Sequence, residues 1–187
     1  MRTVLAYLLA AFLVALLPAS ADAQSGGFTG KRRALTTDGA TYEGDWVDGM
    51  RHGRGVQVWP NGERYDGEWR DDRRNGRGVL TLRDRSRYDG EWRDGARTGQ
   101  GVYTFKSRDR YEGAFVDGAF NGQGTYFWSN GERYVGEWRD SMANGQGTKT
   151  MRDRRAFTGQ WINGCFRDGS RVAAAGATLK ECRSRKQ

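Results

Sequence analysis

The chain has 187 residues, 36% hydrophobic, 29% charged and 12% aromatic, with a formal net charge of +8. Its aliphatic content is too low for a thick globular core, and a mean hydropathy of −0.86 would suit a disordered chain if the aromatic content did not argue against it. A single histidine, His52, excludes a His-rich metal site or a pair of catalytic histidines.

The N-terminus reads as an export signal. Arg2 precedes an apolar run from Val4 to Leu17, Pro18 breaks the run, and Ala21-Asp22-Ala23 supplies the small residues for cleavage before Gln24. The run falls short of the roughly 20 apolar residues of a membrane span, so residues 1–23 are expected to be removed, with an uncleaved anchor as the alternative. No Cys stands at the cleavage site to mark a lipoprotein. The mature protein is expected to be soluble, secreted or periplasmic. Arginine-rich, lysine-poor usage with this signal points to a bacterium.

Residues 24–41 carry half of a unit that then recurs. Tyr42, Tyr65, Tyr88, Tyr111, Tyr134 and Phe157 stand 23 residues apart, each with Gly two positions on and Trp or Phe four positions on. A unit of this length buries its apolar face only against its neighbours. In the third copy, alternation puts Tyr88, Gly90 and Trp92 on one side of a strand and Asp89 and Glu91 on the other; a second strand aligns Gly101, Tyr103 and Phe105. Strand glycines such as Gly67 and Gly90 leave room for a ring. Gly49, Gly53 and Gly55, Gly95, Gly99 and Gly101, and Gly118, Gly122 and Gly124 are read as turn glycines of positive φ. Asn61-Gly62 and Asn130-Gly131 mark the reversal to the next hairpin. The fold class is all-β, an elongated antiparallel meander cemented by aromatic columns.

The pattern Tyr-x-Gly-x-Trp-x-x-Gly-x-x-x-Gly-x-Gly, from Tyr42 to Asp168, closely resembles the MORN repeat (membrane occupation and recognition nexus). Asp72 and Ser141 replace a turn glycine, Phe115 replaces Trp, and the sixth unit decays after Gly164. These changes are expected to weaken turns. The resemblance implies membrane attachment, as in junctophilins and plant phosphatidylinositol phosphate kinases, or assembly scaffolding, without fixing a function.

A repeat domain over residues 42–169 leaves residues 170–187 as a cap or a basic tail. Thr178-Leu179-Lys180-Glu181 is a capping-box pattern for a short helix reaching Arg185. Cys165 and Cys182 favour a disulfide over free thiols or a metal site, and a loop of this size contributes about 3 kcal/mol. Such a cap could cover the last sheet edge.

No phosphate loop, dinucleotide fingerprint, His-Glu-x-x-His or Cys-x-x-Cys occurs. Glu68 and Glu91 could serve as acid and base but recur as a solvated face would; His52 sits in a turn with Arg74 and Thr98 at the matching places. No catalytic residue, cofactor or metal is therefore expected. Two surfaces remain. Arg64, Arg87, Arg110 and Arg133 form a column thickened by Arg85 and Arg108, suited to anions unless Asp66, Asp84, Asp89, Asp109 and Asp153 neutralise it. Trp59, Tyr103, Phe105, Tyr126 and Trp128 form either an open groove or the core. The expected partner is a protein. Anionic lipid or an envelope polymer comes second and nucleic acid third, because export disfavours it. Exposed sheet edges also suit a homodimer.

Overall fold

The computed structural model describes residues 27–184, so the export signal and its cleavage site lie outside the described residues. Fourteen strands follow one another in a single antiparallel sheet whose spatial order is the chain order. The strands are β1 (Gly30–Leu35), β2 (Thr41–Val47), β3 (Met50–Val58), β4 (Arg64–Arg70), β5 (Arg73–Thr81), β6 (Arg87–Arg93), β7 (Ala96–Thr104), β8 (Arg110–Val116), β9 (Ala119–Phe127), β10 (Arg133–Arg139), β11 (Met142–Thr150), β12 (Ala156–Ile162), β13 (Cys165–Asp168) and β14 (Arg171–Ala174), followed by helix α1 (Leu179–Ser184). No helix among the described residues is long and apolar enough to cross a membrane.

One edge of the ribbon carries two-residue reversals in which both residues have positive φ, as in Asp94 (49°) and Gly95 (87°) or Asp117 (47°) and Gly118 (83°), the primed geometry that matches strand twist. Asp72 and Ser141, both at 63°, keep the same turn and do not open it. Each donates its N–H to the preceding turn, Asp72 to the Arg51 carbonyl at 3.1 Å and Ser141 to the Phe120 carbonyl at 3.0 Å. Their side chains also accept the Arg51 and Phe120 N–H groups at 2.9 and 3.2 Å.

The core is a zipper of rings. Tyr65 meets Trp69 of its own strand at 5.1 Å and Trp92 of the next unit at 5.4 Å, both edge to face; Tyr88 does the same with Trp92 (5.2 Å) and Phe115 (5.0 Å). The polar tips are satisfied as well. The Tyr65 hydroxyl donates to the Glu68 carbonyl at 3.0 Å, and the indole N–H of Trp92 donates to the Gly78 carbonyl, fourteen residues back, at 3.0 Å.

Gly55, Gly101 and Gly124, expected at turns, lie instead within β3, β7 and β9, and none has positive φ. Each forms the seat on which a tyrosine lies: a Cβ at Gly101 would fall 2.6 Å from the Tyr88 ring. Gly53 and Gly99 do adopt positive φ, 57° and 56°, in a bulge where two residues on one strand face none on the other. A carboxylate clamps that bulge. Glu68 accepts the Arg77 N–H at 2.9 Å, Glu91 the Gln100 N–H at 2.9 Å, and Glu137 the Gln146 N–H at 2.8 Å.

Burial pushes the Tyr42, Tyr65, Tyr111 and Tyr134 phenols well above their ordinary value, and Tyr88 to about 12. Unfolded tyrosine ionises near pH ~10. The folded value is the higher one, so the stability gained by burying neutral phenols is complete below pH ~10 and is lost as pH climbs through the folded value. Sheet circular dichroism should therefore collapse in one step together with the appearance of phenolate absorbance. Ionisation of these five phenols near pH ~10 with the sheet intact would contradict this.

The C-terminal end departs from the sequence reading in one respect. Segment 170–187 begins with a strand, β14, paired to β13 from Cys165↔Ala174 to Asp168↔Arg171, before the helix. Thr178 and Glu181 do form the capping box, with the Thr178 N–H donating to Glu181 at 2.8 Å and the Glu181 N–H to the Thr178 hydroxyl at 3.2 Å. The Cys165–Cys182 disulfide, with Cα atoms 5.3 Å apart, ties α1 to β13. Lys149, 8% exposed, adds a latch: its ammonium lies 2.9 Å from both the Glu132 carboxylate and the Ala174 carbonyl, and 4.2 Å from the centre of the Trp128 ring.

Candidate functional site

The two surfaces proposed from sequence differ in what the structure makes of them. Arg64, Arg87, Arg110 and Arg133 open the alternate strands β4, β6, β8 and β10 and are exposed. Arg64 pairs with Asp66 at 2.7 Å, Arg87 with Asp89 at 2.8 Å, and Arg110 with Glu112. Exposed pairs of this kind contribute about 0–1 kcal/mol each. Asp84 and Asp109 go elsewhere, Asp84 to the Ser86 N–H at 2.9 Å and Asp109 to the Ser129 N–H at 2.8 Å and the Tyr126 hydroxyl at 3.2 Å.

Arg85 and Arg108 lie at reversals on the same edge and both have φ 71°. Gly62 and Gly131 occupy the matching positions in other units, with φ 89° and 91°. A side chain in this region costs about 1–2 kcal/mol, so these turns hold an exposed guanidinium against a backbone preference for glycine. Arg85→Gly and Arg108→Gly should each raise stability by about 0.5 kcal/mol, after allowing for the extra freedom glycine gives the unfolded chain, as read by urea denaturation. Unchanged or lower stability would mean that the arginine side chains contribute more than the strain they impose.

The aromatic residues resolve a choice between core and groove. Trp59, Tyr103, Phe105, Tyr126 and Trp128 pack against the Tyr-Trp zipper yet stay half-buried, because the described residues form one sheet with α1 lying mainly against β13 and β14. Tyr103 and Phe105 lie 4.6 Å apart and Tyr126 and Trp128 also 4.6 Å, while Phe120 stacks on Tyr111 at 3.7 Å.

This face holds residues that the sequence reading missed. Arg51, Arg74 and Arg97 pair across the sheet with Trp46, Trp69 and Trp92. Arg51 lies 4.4 Å over Trp69, Arg74 4.3 Å over Trp92, and Arg97 5.1 Å over Tyr103. Asn75, and not Arg74, faces Glu68 as His52 faces Asp45 and Thr98 faces Glu91. Arg74 therefore stands in one column with Arg51 and Arg97. Two clefts open along it, one of about 400 Å³ beside Arg51 and Arg74, the other of about 260 Å³ between Arg97, Tyr103, Phe105 and Phe120.

The MORN repeat family model matches residues 42–64, 65–87, 88–110, 111–133 and 134–154, more than half of the chain. The chain belongs to the MORN repeat family. Comparison with curated proteins gives no match. The family match stops at residue 154, but β12 and β13 carry the MORN geometry one hairpin further, with Trp161 donating to the Gly147 carbonyl at 3.1 Å. Within these MORN hairpins Glu68 and Glu91 are committed to bulges as described, and no group of three His, Cys, Asp or Glu side chains among the described residues is placed to hold a metal. MORN units thus present this chain as a repeat module built for binding.

Proposed function

We propose that this protein is an exported, non-enzymatic scaffold of the cell envelope that holds a protein partner on its aromatic face. The observation that carries this reading is the half-buried row Trp59, Tyr103, Phe105, Tyr126 and Trp128, which no second layer covers among the described residues. Aromatic side chains with one wet edge are the groups that anchor protein contacts. The carboxylates best placed for acid–base work are instead fixed to backbone N–H groups of their own hairpins, which supports a non-catalytic role.

Crosslinked capture from the native envelope tests the reading, with Phe105→Ala/Trp128→Ala as the face variant and circular dichroism as the check on folding. Loss of a specific captured protein in the variant supports the scaffold. Capture of nothing, or capture indifferent to the face, overturns it. Export is tested separately by mass spectrometry, where the mature chain should begin at Gln24.

A second reading, adsorption to anionic lipid or an envelope polymer, is favoured by Arg85, Arg108 and Arg133, which are exposed and make no ion pair among the described residues. Vesicle co-sedimentation at low and high salt tests it, since adsorption through exposed charge fades as the screening length shrinks. Binding that survives both high salt and the double variant Arg85→Gly/Arg108→Gly excludes the arginine edge.

A further inference from the structure

The three arginines of the aromatic face are not equivalent. Arg51 is engaged through all three of its nitrogens: its Nε donates to the Asp72 carboxylate at 2.8 Å, one Nη to the Asp72 carbonyl at 2.9 Å and the other to the buried Gln57. Arg74 and Arg97 each donate to a single carbonyl, of Gly95 at 3.1 Å and Gly118 at 3.0 Å, and neither forms an ion pair among the described residues. A guanidinium carries five N–H donors, so both keep donors in reserve while lying half-buried among rings. Burial holds the Arg74 guanidinium below its ordinary value, as desolvation does to a cation. The cleft at Arg97 is lined by Tyr103, Phe105, Gly118, Phe120 and Ser141 and contains no carboxylate.

The spacing of these groups is set by the sheet. Arg74 and Arg97 are one unit apart, and one unit is two strands, or roughly 9.6 Å at the usual strand separation. A polyproline II helix advances about 9.3 Å in three residues and returns to the same face every third residue. No β-strand ligand matches this, because its side chains repeat every second residue, about 6.8 Å. At the next rung the column changes from arginine to Phe120, flanked by Phe105 and Tyr126.

We propose that the aromatic face binds an extended, acidic, proline-rich polypeptide that crosses the strands in the polyproline II conformation. Its acidic residues meet Arg74 and Arg97, and an apolar residue meets Phe120, giving the pattern acid-x-x-acid-x-x-apolar in either chain direction. Prolines at the intervening positions lie on Leu80, Tyr103 and Phe105, as proline-rich segments do in other aromatic grooves. A membrane surface fits less well, because these two cations are half-buried among rings and a flat anionic plane cannot reach them; Asp38, Glu63 and Asp72 line the cleft that Arg74 shares, which leaves Arg97, with no carboxylate beside it, as the stronger acid-binding position.

The inference rests on the scaffold reading and names the chemistry of its partner. The mature full chain is titrated by fluorescence anisotropy with a labelled peptide of repeated Glu-Pro-Pro ending in Leu, with a peptide of the same composition whose acids alternate with single residues, and with phosphatidylglycerol vesicles. Only the three-residue spacing should bind saturably. Arg97→Gln and Arg74→Gln should each weaken it by roughly 10-fold or more, the loss expected for a charged hydrogen bond, while Arg87→Gln on the exposed edge leaves it unchanged. Circular dichroism reports the fold of each variant, and Arg97→Lys, which keeps the charge and loses the planar fork, should fall between wild type and Arg97→Gln. Equal binding of both peptides, indifference to Arg97→Gln, or binding to vesicles alone overturns the proposal. If the peptide fails while envelope capture through the face persists, the scaffold stands without this ligand; if capture fails too, both fall.

Discussion

Trp92→Ala should cost about 3–5 kcal/mol, the range for removing a buried aromatic side chain. That is a large part of the roughly 5–15 kcal/mol by which a domain is stable. Trp92 is 4% exposed, and its ring is the edge-to-face partner of both Tyr65 and Tyr88. Its removal leaves the Gly78 carbonyl without the indole donor and Arg74 without the ring beneath it. Unit four shows how much of this a smaller ring recovers. Phe115 keeps contacts at 5.0 Å to Tyr88 and 5.2 Å to Tyr111, so Trp92→Phe should cost only about 1–2 kcal/mol, for the lost hydrogen bond and the smaller buried surface. Because each unit touches only its neighbours, amide exchange should quicken first in β4 to β7 and last in β10 to β12. Urea denaturation gives the stability loss. Exchange that quickens evenly along the chain would show that the ribbon is one cooperative unit.

The zipper was legible in the sequence because every unit repeats it. Tyr42 and Trp46 recur at 23-residue steps as far as Phe157 and Trp161, and alternation alone places both on one face. The capping box at Thr178 and the pairing of Cys165 with Cys182 were legible for a similar reason, since each depends on few residues in a stereotyped local pattern. The bulge was not. Its two residues without a partner on β2, Gly53 and Arg54 in the first full unit, shift the strand register between Gly44 and Asp45. The 23-residue step from His52 falls on Asn75 and not on Arg74, so Arg74 belongs in one column with Arg51 and Arg97. The available signal was the unbroken 23-residue step from Arg51 to Arg74 to Arg97. β14 gave no such signal, because Arg171–Ala174 has no counterpart of the Tyr-Gly-Trp phase and is held by pairing to β13, the Lys149 latch and α1.

Glycine in this ribbon has two separable roles, and substitution should distinguish them. At Gly95 a Cβ would meet nothing within 4 Å, but φ is 87°. Gly95→Ala therefore meets only the backbone cost of an L-residue in that region, about 1–2 kcal/mol. Gly78 has no positive φ, and its backbone would accept alanine, but a Cβ there would lie 2.2 Å from the Tyr65 hydroxyl oxygen and 2.5 Å from the ring carbon bearing it. Tyr65 cannot swing aside, because it is fully buried, wedged between Trp69 and Trp92, and its hydroxyl donates to the Glu68 carbonyl at 3.0 Å. Gly78→Ala should therefore cost about 3 kcal/mol, the upper end for overpacking a rigid core, and exceed Gly95→Ala although the turn glycine looks the more constrained by its dihedral. Relief should come from the ring side: Tyr65→Leu, destabilising alone, should be less harmful in the Gly78→Ala background, a coupling visible in a double-mutant cycle. Additive losses at these two positions would mean that the tyrosine does not sit on the glycine backbone, and the seat inferred for every unit of the zipper would be wrong.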